Sequence, residues 1–456
     1  MTLVRAAALL VLGTVLLAGP GARAQDKGGG LGGGLGGDPG KAPNDMKAPL
    51  PIRVNQAIDS GVEWLKKQTF APGNWSPEVL GDVLYDPNAK GDVYVHPTGC
   101  TALSLYALLK SGVPKDDPVI KKGFQWLKNT SGGITKGKGL KTSYRIPNGT
   151  YEIAALILAV EARANPHKRD AERERELKFR LKKGEKLKTD VKLEADEQAW
   201  MKELVDALMK RWNRGKGWRY GFWTGTGWDN GPRGDSDLSA SNLSMLALVA
   251  AERCGISQPD DFYVSVLKWT LTHQEKEGPE MKRWDPTLKE EDKVYAQPKD
   301  HARGFGYLGG TGADKEHMAT GSMTACGLAN VVICTSILEA RESKAYTGEL
   351  QQAAEKGWWD GVAWLDYFWT VTGNVGQVNY HYYYLYCLER ACDLKRINLI
   401  AGHPWYNLGA EVLVNDQLNA NTGAWIKADT HRPCDILNTC FALLFLNRAT
   451  PAITGD

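Results

Sequence analysis

The feature that most constrains the fold is a unit that the chain repeats: an amphipathic helix, a Gly/aromatic turn, a polar loop, and a helix that is apolar on nearly every face. The first copy places Ile58, Val62 and Leu65 on one face of its outer helix. A Gly-x-Trp turn at 73–75 follows, and then an apolar helix at 98–109. A helix that is apolar all round must be buried all round. The repeat therefore predicts inner helices covered by outer ones.

Six such hairpins fit the sequence. The inner helices are predicted to begin near Thr98, Thr150, Asp237, Thr320, Tyr380 and Cys434. The more polar outer helices are predicted around Ile58–Leu65 and over Val119–Asn129, Ala199–Trp212, Phe262–Gln274, Ala353–Trp369 and Trp405–Leu418.

A closed ring gives each apolar helix two inner neighbours and an outer cover. We therefore predict an all-α fold, a closed α/α toroid of about six helical hairpins. A linear solenoid is the competing architecture, but its ends need polar caps. The first and last inner helices are instead as apolar as the middle ones.

The N-terminal residues predict export. Arg5, an apolar run over residues 6–18 and the small-x-small sequence at 22–24 have the pattern of a signal peptide, which would occupy residues 1–24. We expect a periplasmic or secreted protein without a membrane span, since no later run is expected to reach the necessary length of about 20 residues. A Gly/Pro-rich linker is predicted at 25–50 and the toroid at 51–456, with a charged insertion at 165–198 and a polar loop at 275–300.

Charge and cysteine content narrow the classes of partner. Loss of Arg5 and Arg23 with the signal peptide would lower the net charge from +3 to +1. A nearly neutral chain gives no reason to expect a nucleic-acid or membrane-surface partner. Most of the eight cysteines fall in apolar helical stretches, so we expect mainly free core thiols, although the compartment would permit disulfides.

Several motifs resemble the prenyltransferase and squalene-oxidase repeat family, also described as the terpenoid cyclase/protein prenyltransferase α/α toroid. They are GVEWL at 61–65, TAL at 101–103, GWRY at 217–220, YYLYCLER at 383–390 and TCFALLFL at 439–446. The resemblance covers nearly all of residues 54–450, and the last two motifs resemble exported squalene-cyclase-like proteins of planctomycete-type bacteria. It implies the toroid rather than an activity.

Parallel inner helices would gather their N-terminal ends around one mouth, where helix dipoles and free backbone N–H groups favour a ligand. Four of the eight histidines fall near these helix starts. Ser, Thr and Asp are also preferred helix caps, which is the competing explanation for the polar residues there. The candidate ligand-binding residues are His96, Glu152, His317, His381, Tyr382, His431 and Asp435.

Asp235 and Asp237 are the candidate catalytic residues. They match the first two acids of the motif with which cyclases of the resembled family protonate an alkene, but Leu238 stands where another Asp is expected. A helix cap is the competing interpretation of Asp237. In a carbohydrate-active α/α barrel, Asp237 and Asp435 would instead form a carboxylate pair across the cavity.

No metal or cofactor is predicted. The prenyltransferases of the resembled family hold zinc with Asp, a Cys two residues later and a distant His, whereas Cys434, Asp435 and His431 have the wrong order and spacing. Phosphate-binding loops are also absent from the sequence.

The leading hypothesis is an exported toroid that binds a small molecule, an isoprenoid or a glycan, or an envelope protein at its mouth. A cyclase-like enzyme with Asp237 as general acid and a carbohydrate-active barrel are the alternatives. Whether the protein is an enzyme stays open.

Overall fold

The computed structural model describes residues 48–69, 73–75, 97–130, 149–165, 191–220, 222–223, 228–229, 235–284, 299–309, 316–426 and 435–448. The chain divides into a unit of residues 1–43 and a unit of residues 44–456, and every described residue belongs to the second. The predicted signal peptide, nearly all of the linker and most of the charged insertion lie outside the described residues. These predicted boundaries therefore stay predictions.

Helices of two kinds alternate along the described part of the chain. The outer helices are α1 (Leu50–Lys67), α3 (Pro118–Thr130), α5 (Ala195–Lys210), α7 (Asp260–Leu271), α9 (Gly348–Tyr367) and α11 (Trp405–Ala420). The inner helices are α2 (Pro97–Lys110), α4 (Thr150–Ala164), α6 (Leu238–Arg253), α8 (Gly321–Ala340), α10 (His381–Leu394) and α12 (Asp435–Leu446).

The prediction of an all-α fold is confirmed, and the inner helices start within one residue of the predicted positions. Each inner helix packs against the next one along the chain, and α12 packs against α2. The contacts among the described inner helices therefore close into a cycle. Outer helix α1 contacts α2, α11 and α12, so the first and last described hairpins meet in the outer layer as well.

Helix α8 corrects one expectation from the sequence. Within the described residues it is long and apolar enough to cross a membrane, whereas we expected no run of that length. Nearly all of α8 is nevertheless buried inside the protein. That burial is typical of the core helix of a ring, because α8 packs against α6, α7, α9 and α10.

Gly/aromatic turns join three of the outer helices, α1, α5 and α11, to an inner helix through two hydrogen bonds. The Trp218 indole donates to the Leu208 carbonyl near the end of α5 at 2.9 Å, and the Trp218 backbone N–H donates to the Ser241 hydroxyl of α6 at 2.8 Å. A bare helix end leaves carbonyls without partners, so the indole satisfies one of them. The same pair of bonds joins Trp75 to Leu65 and Thr101, and Trp425 to Leu413 and Thr439.

Glycines on two outer helices let aromatic rings pack directly against the helix backbone. A Cβ atom added at Gly61 of α1 would lie 2.6 Å from the Trp425 ring, and one added at Gly409 of α11 would lie 2.4 Å from Phe445. Real side chains do not tolerate such contacts. The two positions therefore require glycine for packing.

Two short antiparallel ladders lie between the helices. Strand β1 (Phe222–Trp223) pairs with β2 (Trp228–Asp229), and β3 (Glu280–Lys282) pairs with β4 (Lys299–His301). The second ladder lies at the ends of the predicted polar loop, where Arg283 donates two hydrogen bonds to Asp300. The loop ends are therefore ordered by a strand pair, which its polar sequence did not predict.

Free core thiols were expected and are confirmed at five described positions. Cys254, Cys326, Cys334, Cys387 and Cys392 are buried free cysteines. Each lies in or directly after an inner helix, where cysteine is often buried.

Candidate mouth of the ring

The first turns of three inner helices meet inside the ring. Tyr151 of α4 donates a hydrogen bond to the Ser239 hydroxyl of α6 at 2.9 Å, and Ser239 is hydrogen-bonded to the Tyr383 hydroxyl of α10 at 2.7 Å. Helices α6 and α10 are separated in the ring by α8. Tyr383 therefore reaches past α8, and the first turns of α4, α6 and α10 lie together. That this end of the ring is a ligand-binding mouth stays a prediction.

Asp237 caps helix α6. Its Oδ1 accepts a hydrogen bond from the Ala240 N–H at 2.7 Å, which satisfies one of the free donors at the helix start. Its backbone N–H donates to the Trp218 carbonyl at 2.9 Å, and the next N–H, from Leu238, donates to the Tyr307 carbonyl at 3.0 Å. These backbone bonds bring the Arg219 and Tyr307 segments against the carboxyl group.

Arg219 lies between the two acids that the sequence singled out. Its Nη1 is 3.4 Å from Asp237 Oδ2 and its Nε is 3.6 Å from Asp235 Oδ2. The guanidinium also packs over the rings of Tyr220 and Tyr307, at 4.6 and 5.2 Å. We call Arg219, Asp235, Asp237 and Tyr307 the acid cluster.

The two acids differ sharply in environment. The Asp237 side chain is 0% exposed, whereas that of Asp235 is 52% exposed. Burial raises the pKa of Asp237 to about 7, although the Ala240 N–H, Arg219 and Tyr307 favour its charged form. Asp237 Oδ2 has no hydrogen-bond partner among the described residues. At neutral pH this carboxyl can therefore exist with or without its proton, as an acid or base catalyst requires.

An apolar surface lies beside the acid cluster. Tyr151, Tyr383 and Phe441 are half-buried, and the rings of Tyr383 and Phe441 are 5.4 Å apart. We call these three residues the aromatic floor. Leu243 lies one turn after Ser239 on α6, and Leu437 lies one turn before Phe441 on α12; both are also half-buried. Most other side chains in the middle of these helices are fully buried.

The structure brings Asp235 and Asp237 together around Arg219, but not the other predicted site residues that it describes. Glu152 accepts a hydrogen bond from the Gly149 N–H at 2.8 Å and so caps its own helix. His381 is buried, with its Nε2 2.8 Å from the Val371 carbonyl oxygen, and Tyr382 donates to Asp416 of outer helix α11 at 3.0 Å. Neither is directed at the aromatic floor.

The remaining candidates are spread around the protein. His317 lines an outer cleft of about 1120 Å³ together with His273, Asp235 and Lys216. Asp435 is half-buried at the start of α12, three places from α6 in the cycle of six inner helices, and burial raises its pKa. The pairing of Asp435 with Asp237 that a carbohydrate-active barrel needs stays a prediction. His96 and His431 lie outside the described residues.

Sequence reasoning missed Arg219, Tyr307 and Tyr151. Arg219 stood in the GWRY motif, which we used only as a sign of the repeat, and Tyr151 is next to the candidate Glu152. Tyr307 had no signal in the sequence. The described residues contain no group of three His, Cys, Asp or Glu side chains that could hold a metal ion.

No protein-family model and no curated protein matches the chain. Among solved structures it is similar to the type II terpene cyclase MstE from Scytonema. The apo structure is 13% identical and covers 89% of this chain and 99% of that chain, with a TM-score of 0.42. Variants of that cyclase bound to geranylgeranyl dihydroxybenzoate (substrate) and to merosterolic acid A (product) are 12% and 14% identical, and each covers 88% of this chain and 99% of that chain with a TM-score of 0.42. Similarity at this level identifies neither substrate nor reaction.

Proposed function

We propose that the ring binds a mainly apolar small molecule at the N-terminal ends of its inner helices. The observation that supports this most is the aromatic floor: Tyr151, Tyr383 and Phe441 are only half-buried on helices that are otherwise almost wholly buried. Side chains that face the inside of the ring and remain accessible border a hollow. Binding hollows in proteins are mostly apolar, with a few polar groups that orient the ligand.

The chemistry of this surface favours an isoprenoid over a glycan. The hydroxyls of Tyr151, Ser239 and Tyr383 bond to one another, which leaves few groups to satisfy the many hydroxyls of a sugar. The faces of the aromatic rings and the side chains of Leu243 and Leu437 suit a hydrocarbon chain. The acid cluster would then lie near one end of the ligand.

A titration with two probes tests the ligand class. We expect farnesol or geranylgeraniol to quench or shift the intrinsic tyrosine and tryptophan fluorescence in a saturable way, while cellobiose leaves it unchanged. Phe441→Ala should weaken isoprenoid binding by about tenfold, since losing an aromatic contact of this size costs about 1 to 2 kcal/mol. Saturable binding of cellobiose alone would overturn the isoprenoid proposal.

A second candidate function is acid catalysis on that ligand, with Asp237 as the proton donor. The specific observation in its favour is the combination of complete burial and a pKa of about 7 in one carboxyl group. Arg219 and Tyr307 contact this group and are more exposed, so they would separate it from solvent. Asp237→Asn should keep isoprenoid binding and abolish any turnover of the bound molecule; equal product formation by both proteins would exclude this role.

We further propose that the protein is exported and works in the periplasm or outside the cell, where an envelope protein is the alternative partner. The signal-peptide pattern at residues 1–24 supports this. Fractionation of the native host, with N-terminal sequencing of the protein, should find it outside the cytoplasm and beginning at Gln25. A cytoplasmic protein that retains residues 1–24 would refute it.

A further inference from the structure

Two thiols lie against each other beneath the aromatic floor. The Sγ atoms of Cys326 on α8 and Cys387 on α10 are 3.4 Å apart, and both residues are 0% exposed. The Tyr383 hydroxyl is 3.6 Å from the Cys326 sulfur. The half-buried ring of Tyr383 therefore separates the thiol pair from the mouth.

A buried cation lies on the same pair. Arg390 is 0% exposed, and its Nη2 donates to the Cys387 sulfur at 2.7 Å and lies 3.8 Å from the Cys326 sulfur. The guanidinium stacks 4.2 Å from the Tyr386 ring centroid, and its Nε and Nη1 have no hydrogen-bond partner among the described residues. A buried charge is costly unless an opposite charge compensates it.

Negative charge on the sulfur atoms meets that need. The Arg390 guanidinium donates to the Cys387 sulfur at 2.7 Å, and a cation this close favours the charged form of a thiol. The thiolate is the form of cysteine that binds metals. The contact with Arg390 therefore favours a thiolate ligand at this pair.

We propose that Cys326 and Cys387 form a two-coordinate site for a soft monovalent cation of the Cu(I) class. Two thiolates and one such cation carry a charge of −1, which the guanidinium of Arg390 neutralises. Thiolates select Cu(I) over harder ions. Zinc is disfavoured, because structural zinc takes four ligands and the described residues contain no cluster of even three suitable side chains.

The geometry is close to what shared coordination needs. Two sulfurs bound to one ion at about 2.3 Å lie at most about 4.6 Å apart. The sulfurs, at 3.4 Å, would have to separate by about 1 Å to bind one ion in linear geometry. A disulfide would instead remove both thiolates and leave the buried guanidinium of Arg390 without a compensating charge.

The test is an anaerobic titration of the reduced full chain with Cu(I), delivered from its coloured bicinchoninate complex. We expect wild type to remove one more Cu(I) per chain from the complex than Cys326→Ser or Cys387→Ser does. Cys334→Ser is the matched control, since Cys334 is buried on the same helix α8. The Cys334→Ser variant should bind as much Cu(I) as wild type does.

Two further measurements keep the test decisive. Far-UV circular dichroism shows whether each serine variant is folded. If one is not, X-ray absorption of Cu(I)-loaded wild type replaces the variant comparison and should show the ion bound by two sulfur atoms. Equal Cu(I) uptake by wild type and both variants, a Cu(I) ion without two sulfur ligands, or a Cys326–Cys387 disulfide in protein purified without reductant would overturn the proposal.

Discussion

Arg219 Nη1 lies 3.4 Å from Asp237 Oδ2, yet neither atom has a hydrogen-bond partner among the described residues. An ion pair without a hydrogen bond compensates only part of the cost of burying a carboxylate. The pKa of Asp237 is therefore raised to about 7 beside a permanent positive charge. This incomplete pairing of Arg219 with Asp237 is what would make Asp237 a proton donor beside an apolar ligand.

Asp237 should make stability depend on pH. Its folded-state pKa is about 7, whereas an unfolded Asp titrates at about 4. Between these values the folded protein holds a proton that the unfolded chain has released, so the free energy of unfolding falls as pH rises. From pH 5 to pH 8 this group should lower it by about 3 kcal/mol.

Urea unfolding of wild type and Asp237→Asn at pH 5 and pH 8 measures this contribution. Asn keeps the helix cap but cannot titrate, so the variant should lose the pH-dependent part alone. Asp235→Asn is the control, because the Asp235 side chain is 52% exposed. An identical pH dependence in wild type and Asp237→Asn would mean that Asp237 is already charged at pH 5.

His273 should make the protein less stable as pH falls, which is the opposite of the effect of Asp237. Its ring is buried with Nδ1 3.0 Å from the Trp269 carbonyl oxygen, and burial lowers its pKa to about 4. Between about pH 4 and 6.5 the unfolded chain binds a proton that the folded protein does not, so stability falls as pH falls. The loss should approach about 3 kcal/mol by pH 4 and should be absent in His273→Gln, as measured by unfolding at pH 7 and pH 4.

The turn after α5 should contribute strongly to the stability of the fold. Trp218→Phe removes the 2.9 Å bond to the Leu208 carbonyl from a side chain that is 0% exposed. We expect a loss of about 2 to 4 kcal/mol from the lost bond and the smaller ring. Trp212→Phe is the matched control: its indole donates to the Lys216 carbonyl at 3.1 Å near the surface, and it should cost less than about 1 kcal/mol. Equal losses in thermal unfolding would contradict the role of the turn.

The sequence predicted the ring because its signals are local. An all-apolar helix between two turns indicates burial without reference to any distant residue, and the Gly-x-Trp turns mark where outer helices end. The inner-helix starts therefore lay within one residue of their predicted positions. The hairpins could therefore be predicted without knowing which loops contact one another in the folded protein.

The site was harder to predict because its contacts are not local. Arg219 and Tyr307 come from separate loops that meet only when backbone bonds place them beside Asp237. Tyr382 and Tyr383 are neighbours in sequence, and a helix turns about 100° per residue, so one faces α11 and the other the inside of the ring. Which of the two faces inward depends on the rotation of α10 in the ring.

Mass spectrometry of protein purified from its native host shows whether the mouth holds a ligand. Leu243→Trp should fill the hollow, since Leu243 is half-buried on α6, while Leu408→Trp adds the same ring on outer helix α11. We predict that wild type and Leu408→Trp show extra mass in native spectra that leaves on denaturation, and that Leu243→Trp shows none. Bare protein mass in all three, or the same released molecule from all three, would contradict a ligand site at the mouth.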